Sequence, residues 1–308
     1  NNEMDIDFFE LYEVLVVKKK SLFLLSIFIF LLSASLTLLI NDKYTSSALL
    51  SPVEGSESGL SKIGQYSGLA SMAGITLPGS DASKSDYAIA TIQSKVFFQN
   101  LLLNNGLLEA IYASKSYDKQ TKSINYDQKI FSNGKWVESD GFFGFLKKEK
   151  PSYLKAHSIF INEILAISKD KETGFINVSI THQSPVFAKD LLDLIISEAN
   201  NLERLKELDN ADTSLEFLNI EASKNTILNT EDAITNLIEE KLNIKMLANS
   251  TEDYLLEYID VPFYPEKKSG PKRILITIAI TLISIILYSF FIIFTYFLSI
   301  RETRHLND

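Results

Sequence analysis

The sequence contains no cysteine and only three histidines among its 308 residues. Without cysteine, disulfide bonds and thiolate metal sites are excluded. His157, His182 and His305 have neither a second histidine nor a carboxylate at metal-ligand spacing, so we interpret each as a surface or capping residue. We therefore expect neither a metal nor a cofactor.

Signatures of catalysis are also missing. The chain has no G-x-S-x-G element for a serine nucleophile. Gly59 and Gly64 have the spacing of a phosphate-binding loop, but Gln65 and Tyr66 stand where lysine and a hydroxyl residue are needed. We interpret the pair Glu239-Glu240 as part of a solvated helix face rather than an acid–base pair. The sequence predicts a protein that is not an enzyme.

Charge is absent from two long apolar runs. Residues 21–40 contain no charge, glycine or proline, and as a helix they are about 30 Å long, which matches the hydrocarbon core of a bilayer. Residues 274–300 form a second uncharged run. A cleaved signal peptide is the alternative for the first run, and a buried core helix for the second. We predict two transmembrane helices.

The lysines Lys18 to Lys20 stand directly before the first run and favour a cytoplasmic N-terminus. Residues 1–20 are then a cytoplasmic leader, residues 41–273 an exported domain, and residues 301–308 a cytoplasmic tail. Lys267, Lys268 and the pair Lys272-Arg273 lie on the disfavoured side of the second run. The domain carries 25 basic and 32 acidic residues, which argues against nucleic acid and against electrostatic adhesion to anionic lipid.

The exported domain shows alternating helix and strand patterns. A strand at 43–53 is stopped by Pro52, and a glycine-rich loop follows at 54–83. Helical periodicity covers 85–113 until Asn104-Asn105-Gly106, and a polar excursion with a turn at Asn133-Gly134 covers 115–155. Residues 163–168 and 174–181 then predict a hairpin.

Glycine is absent from Val186 to Glu266, where the longest helical pattern lies. Ser184-Pro185 is a typical helix start. A helix continuous to about residue 248 would be on the order of 95 Å long, so its apolar stripe would need a neighbouring helix or a second subunit. Residues 255–261 return as a strand. The candidate helix contacts are Leu191, Ile195, Leu202 and Leu205.

Proline is rare, with seven residues in the chain, yet three of them fall within 262–271. Each proline fixes its own φ and disfavours helix in the residue before it. Pro262, Pro265 and Pro271 therefore predict an extended stalk, and Lys272 and Arg273 an anchor at the bilayer surface. A rigid connector without any partner explains the prolines as well as a contact with another protein does.

The sequence resembles the polysaccharide co-polymerases, which are also called O-antigen chain-length determinants or Wzz proteins. The order of strands and helices is similar over nearly the whole chain, although the residue before Pro271 is Gly270 instead of the usual serine, and the second run contains no glycine. The matching motifs are Ile6-Asp7 with Glu10-Leu11, the run Gly68 to Gly74, and Pro262-x-x-Pro265 followed by Ser269-Gly270-Pro271-Lys272.

The resemblance implies an α+β membrane protein in which two transmembrane helices flank an extracytoplasmic α/β base domain with one very long helix. It implies a non-enzymatic regulator of the length of lipopolysaccharide O-antigen or a related surface polysaccharide in the bacterial inner membrane. The expected partners are further copies of the chain in a ring-like homo-oligomer, the repeat-unit polymerase, lipid-linked polysaccharide and the bilayer.

Two other functions share this architecture. One is an accessory subunit of a capsule or exopolysaccharide exporter, which the sequence does not distinguish from a co-polymerase. The other is a two-span ligand sensor, which would need a cytoplasmic output module. We expect the eight residues after the second run to be too few for such a module.

The predicted topology can be tested with cysteine labelling, because the chain has no native cysteine. We expect a Tyr117→Cys variant to react in intact spheroplasts with a membrane-impermeant maleimide, since residue 117 is in the exported domain. The matched control is Thr303→Cys in the predicted cytoplasmic tail, which should react only after lysis. The reverse order of labelling at the two positions would contradict the orientation.

Overall fold

The computed structural model describes residues 8–53, 84–140, 147–148, 150–224 and 228–305. It divides into two compact units, one formed by residues 1–42 with 269–308 and the other by residues 43–268. The predicted glycine-rich loop at 54–83, and the phosphate-loop-like spacing within it, lie outside the described residues.

The described helices, in chain order, are α1 (Phe8–Val17), α2 (Lys19–Leu38), α3 (Lys84–Gln93), α4 (Lys95–Asn105), α5 (Leu108–Tyr112), α6 (Tyr153–Ile159), α7 (Pro185–Lys224), α8 (Leu228–Ser250) and α9 (Arg273–His305). A π-helical turn, Phe160–Ile164, follows α6. The strands are β1 (Tyr44–Pro52), β2 (Ser114–Asp118), β3 (Ser123–Tyr126), β4 (Phe131–Ser132), β5 (Lys135–Trp136), β6 (Ser139–Asp140), β7 (Lys147–Lys148), β8 (Leu165–Lys169), β9 (Ile176–His182) and β10 (Leu256–Asp260).

The first unit contains the two predicted spans, α2 and α9, which pack against each other. Both helices are long and apolar enough to cross a membrane, and only 11% of each span is buried within the protein. Their exposed side chains are mostly large and hydrophobic, as expected for helices surrounded by lipid. The prediction of two transmembrane helices in an α+β protein is confirmed.

Hydroxyl residues allow these two helices to pack without glycine. Ser33 and Thr37 of α2 and Thr277 of α9 are buried. The Ser33 and Thr37 hydroxyls donate to carbonyls of their own helix, so neither is left without a partner. Ser21 Oγ also lies 2.8 Å from the Tyr288 hydroxyl. Small and hydroxyl-bearing side chains permit close approach of helices in a membrane.

The second unit is built on a four-stranded antiparallel sheet with the order β10-β1-β9-β8. The predicted strand and hairpin therefore form, with β1 pairing to both β9 and β10. The alternation predicted for β9 is confirmed, since Ile176, Val178 and Ile180 are fully buried. These side chains join the core that the first half of α7 and helix α4 cover.

The helical pattern predicted for residues 85–113 is split into three helices. Ser94 interrupts it, because its side chain accepts a hydrogen bond from Phe97 N and so caps α4. Gly106 ends α4 with a φ of 62°, as its position after two asparagines predicted. The turn at Asn133-Gly134 is also confirmed, since both residues have positive φ between β4 and β5.

One very long helix is confirmed for α7, which has 40 residues, but its predicted continuation to about residue 248 is wrong. Helix α8 packs back along α7, and Lys245 forms an ion pair with Asp212. In one continuous helix those residues would be about 50 Å apart. The chain therefore forms an antiparallel helical hairpin, and α8 covers part of the stripe that was expected to need another partner.

The hairpin predicts a short distance between two positions that a continuous helix would separate. We expect the Asp212→Cys, Lys245→Cys double variant to be joined by a bifunctional maleimide with a span of about one helix diameter, roughly 10 Å. Intact mass after digestion would identify the cross-link within one chain. The Asp212→Cys single variant is the control for cross-links between chains, and absence of the intramolecular product would contradict the hairpin.

Candidate functional site

An apolar stripe follows α7 from the core of the domain to its exposed part. Leu191 and Ile195, predicted as helix contacts, are buried in the chain's own core, so their contact is intramolecular. Leu202 and Leu205, on the same side of the helix, are 39% and 50% exposed. Their contact with a second subunit stays a prediction.

The stripe extends further than the predicted residues. Phe217 and Ile220 are 64% and 47% exposed and, at 3.6 residues per turn, lie on the same side of α7 as Leu202. The opposite side of α7 carries buried Leu215 and Leu218, which lie against α8. Helix α8 thus leaves the stripe of Leu202, Leu205, Phe217 and Ile220, here called the α7 stripe, uncovered.

Asn200 connects helix α7 to the start of strand β10 in the sheet. Its Oδ1 accepts hydrogen bonds from the backbone amides of Leu255 and Leu256, and its Nδ2 donates to the Leu256 carbonyl. Nδ2 is also 3.3 Å from Asp253 Oδ1. The side chain is buried, so its loss would leave backbone groups unsatisfied. Sequence reasoning missed this role, because its only signal is an asparagine in the middle of a helix.

A cleft of about 750 Å³ lies beside Asn200, between α7, the end of α8 and β10. Its wall includes Glu198, Arg204, Glu252 and Asp253. Arg204 donates to Asn201, and burial together with Glu257 and Glu252 raises the pKa of the Asp253 carboxyl. Across the described residues, no group of three His, Cys, Asp or Glu side chains is arranged to hold a metal ion.

The first two prolines of the predicted stalk lie against the domain. Pro262 is buried, and Ser46 Oγ donates to the carbonyl of the next residue, Phe263, at 2.9 Å. Tyr264 then turns toward α7, where its hydroxyl donates to Asp190 at 3.1 Å. Pro265 is half-buried. This half of the segment continues the strand and is held against the domain.

Helix α7 contributes a cluster of charged side chains to its contact with Tyr264. Lys189 Nζ lies 5.2 Å from the centre of the Tyr264 ring and is ion-paired to Asp193. The bond to Asp193 raises the pKa of the Lys189 ammonium group. Asp193 also accepts a hydrogen bond from the Tyr258 hydroxyl, whose pKa is raised by burial and by this carboxylate.

Pro271, Lys272 and Arg273 belong to the membrane unit. Lys272 is exposed, whereas Arg273 is half-buried and donates through Nη2 to the Ile40 carbonyl at 2.9 Å and to Asp42 at 3.0 Å. The arginine thus joins the start of α9 to the chain that follows α2. The anchor role of Lys272 and Arg273 and the stalk role of the three prolines stay predictions.

Two histidines are capping residues, as predicted. His157 Nε2 lies 2.9 Å from the Gln93 carbonyl at the end of α3. His182 is buried, its Nδ1 accepts from Ser184 N, and its Nε2 lies 3.0 Å from the Ala110 carbonyl. Burial lowers the pKa of His182 to about 4, so the ring is neutral and carries its proton on Nε2. The histidine fixes the junction between β9 and α7.

Comparison with known proteins gives one family. Residues 4–112 match the family model described as Wzz, chain length determinant protein. No curated protein sequence matches the chain.

The solved structures that are similar to this chain include two of low identity. A full-length bacterial polysaccharide co-polymerase is 13% identical, with 95% of this chain and 98% of that chain covered and a TM-score of 0.37. A fragment of WzzB, a polysaccharide co-polymerase from Salmonella Typhimurium, is 14% identical, with 75% and 100% covered and a TM-score of 0.30.

The buried histidine predicts a pH dependence of stability. Because its folded pKa is below the ordinary value of 6.5, the native state binds fewer protons than the unfolded state between pH 6.5 and about 4. The contribution of neutral His182 to the free energy of unfolding is complete above pH 6.5. This contribution is lost as the pH falls through this range, by about 3 kcal/mol in total.

The measurement is the melting temperature of the full-length protein in mild detergent from pH 7.5 to 4. His182→Asn retains an acceptor near Ser184 N but does not titrate. We expect the His182→Asn variant to have a lower melting temperature than wild type at neutral pH. Its melting temperature should decrease less than that of wild type as the pH falls. Parallel curves for the two proteins would contradict the role of His182.

Proposed function

We propose that this chain is a membrane protein of the Wzz chain length determinant family, and that it exercises the family's control of polysaccharide length as a homo-oligomer that catalyses no reaction itself. The family match and the two membrane helices support a membrane-bound regulator of chain length rather than an exporter subunit or a ligand sensor. The single observation that carries the oligomer is the α7 stripe.

The residues of the α7 stripe all lie on one side of the helix. Its side chains continue the side of α7 that is buried in the core up to Ala199, so beyond that point the same side of the helix emerges into solvent. Phe217, at 64% exposure, is the largest of the four. The stripe consists of two apolar pairs, Leu202 with Leu205 and Phe217 with Ile220, which are separated by about three helical turns. Asp209, Thr213 and Glu216 lie on the same side of α7 between the two pairs. Exposed apolar patches mark interaction sites.

A second copy of the chain is the occupant that we propose for this surface. Side-by-side packing of identical hairpins would bury each stripe on the adjacent copy, and repetition of one such contact closes a ring. Each buried leucine or phenylalanine would contribute about 1.5–3 kcal/mol.

The absence of catalysis is proposed from the way the polar groups of the cleft are used. Asn200 bonds the backbone of β10, Arg204 bonds Asn201, and Tyr258 bonds Asp193. These groups therefore support the junction of α7, α8 and β10. Control of length then requires a separate polymerase, which we propose as the partner, with lipid-linked polysaccharide as the material being elongated.

The location that fits this role is the bacterial inner membrane. We propose that both termini are cytoplasmic and that residues 41–273 are periplasmic, which would place the helical hairpin on the side where lipid-linked repeat units are joined. The lysines before the first span support this orientation. The polymerase would then share the membrane with the two spans.

The α7 stripe generates a prediction about assembly. We expect Leu202→Asp and Phe217→Asp to reduce the oligomer mass of the detergent-purified protein, because a charge buried between copies without a partner is costly. Mass photometry measures the assembly. Gel electrophoresis of the surface polysaccharide, with each variant expressed in a deletion strain, should show a weakened modal band.

The matched control is Met246→Asp, because Met246 is 68% exposed but lies on α8, outside the stripe. We expect this variant to assemble and to set chain length as wild type does. If Phe217→Asp and Met246→Asp behave alike in both measurements, the stripe is not the contact between copies. A wild-type protein that is monomeric in mild detergent at every concentration would exclude the oligomer itself.

A further inference from the structure

Three apolar side chains at alternate positions extend outward along the edge of the sheet. Ile259, Val261 and Phe263 are 48%, 47% and 69% exposed. Strand β10 is at the edge of the sheet and pairs with β1 alone among the described strands. Pro262 keeps Val261 in an extended conformation, in which alternate side chains lie on the same side. We call these three residues the apolar edge row.

The apolar edge row is held rigidly from the opposite side of the segment. The Tyr258 hydroxyl donates to Asp193, Pro262 is buried, and the Tyr264 hydroxyl donates to Asp190. Ser46 Oγ fixes the Phe263 carbonyl at 2.9 Å. The side chains of the apolar edge row therefore cannot turn toward the core of the domain. Their exposure is imposed by the contacts of the residues between them.

The covalent chain limits how far the apolar edge row can lie from the bilayer. Asp42 is paired with Arg273, the first residue of α9, and Ser46 is bonded to Phe263. The four residues of chain from Asp42 to Ser46 cover about 14 Å when fully extended. Exposed Lys267 and Lys268 come between Phe263 and the span in the sequence. The headgroup region on each side of the hydrocarbon core is roughly 5–8 Å thick. The extended length of residues 42–46 is of the same order as this thickness.

We propose that Val261 and Phe263, supported by Ile259, insert into the headgroup–acyl boundary of the membrane. Apolar and aromatic side chains partition to this boundary, and neighbouring lysines extend to the headgroups. The attraction is hydrophobic, which is compatible with the net negative charge of the domain. This lipid contact does not depend on whether the chain regulates polysaccharide length.

The test uses the full-length protein in liposomes of phosphatidylethanolamine and phosphatidylglycerol. The chain has no native cysteine, so Phe263→Cys and Val261→Cys can each be labelled at one site with a solvent-sensitive fluorophore. Lipids with a nitroxide at a shallow acyl position quench from the membrane, and iodide quenches from water. The control is Val96→Cys, since Val96 on α4 is 69% exposed, the same as Phe263.

We expect nitroxide lipids to quench labels at 261 and 263 several-fold more strongly than the label at 96, and iodide to show the reverse order. Equal iodide quenching at 263 and 96 would overturn the proposal. Protection of 263 from both quenchers would also overturn it, and would assign the apolar edge row to a protein contact. Neither result bears on the polysaccharide phenotype, so the two proposals fail independently.

Discussion

The packing of the first half of α7 on the four-stranded sheet is the interaction from which the other contacts of the domain follow. Six apolar side chains of this half are fully buried: Ala188, Leu191, Leu192, Ile195, Ile196 and Ala199. Full burial of one leucine or isoleucine contributes about 1.5–3 kcal/mol, so no single polar contact of the domain is comparable to their sum. The helix is fixed in rotation as well as position, because its apolar side must face the sheet.

That fixed rotation determines what the rest of α7 can touch. Asn200 comes one residue after the buried stretch and faces the other way, where it bonds the start of β10. Lys189, Asp190 and Asp193 lie on the flank that meets the proline segment. Beyond Asn200 the core-facing side continues as the α7 stripe. One helix thereby joins the sheet, the helical hairpin, the segment leading to the second span and the proposed contact between copies.

The two surfaces proposed for function differ in how they are built. The α7 stripe lies on a helix whose other side is covered by α8, so its apolar pairs remain available to a second copy of the chain. The apolar edge row is short and is held by backbone and hydroxyl contacts next to the chain that enters the membrane. If both proposals hold, the first surface determines how copies associate and the second contacts lipid.

Local patterns in the sequence were sufficient for most of the secondary structure. The two uncharged runs predicted the spans, alternation predicted β9, Ser184-Pro185 predicted the start of α7, and Asn133-Gly134 predicted a hairpin turn. Each of these depends on the chemistry of a few adjacent residues. The family resemblance likewise rested on local motifs, and it pointed to the family whose model matches residues 4–112.

Tertiary structure alone decided where the long helical pattern reverses and which of its residues are buried. A stripe at helical spacing is the same whether it faces a sheet, a second helix of the chain or another copy, so Leu191 and Leu202 are equivalent in sequence. No glycine or proline lies between Val186 and Val261 to mark the end of α7. The reversal depends instead on packing between residues far apart in the chain, such as Asp212 with Lys245 and Asn200 with Leu256, and no local pattern encodes those pairs.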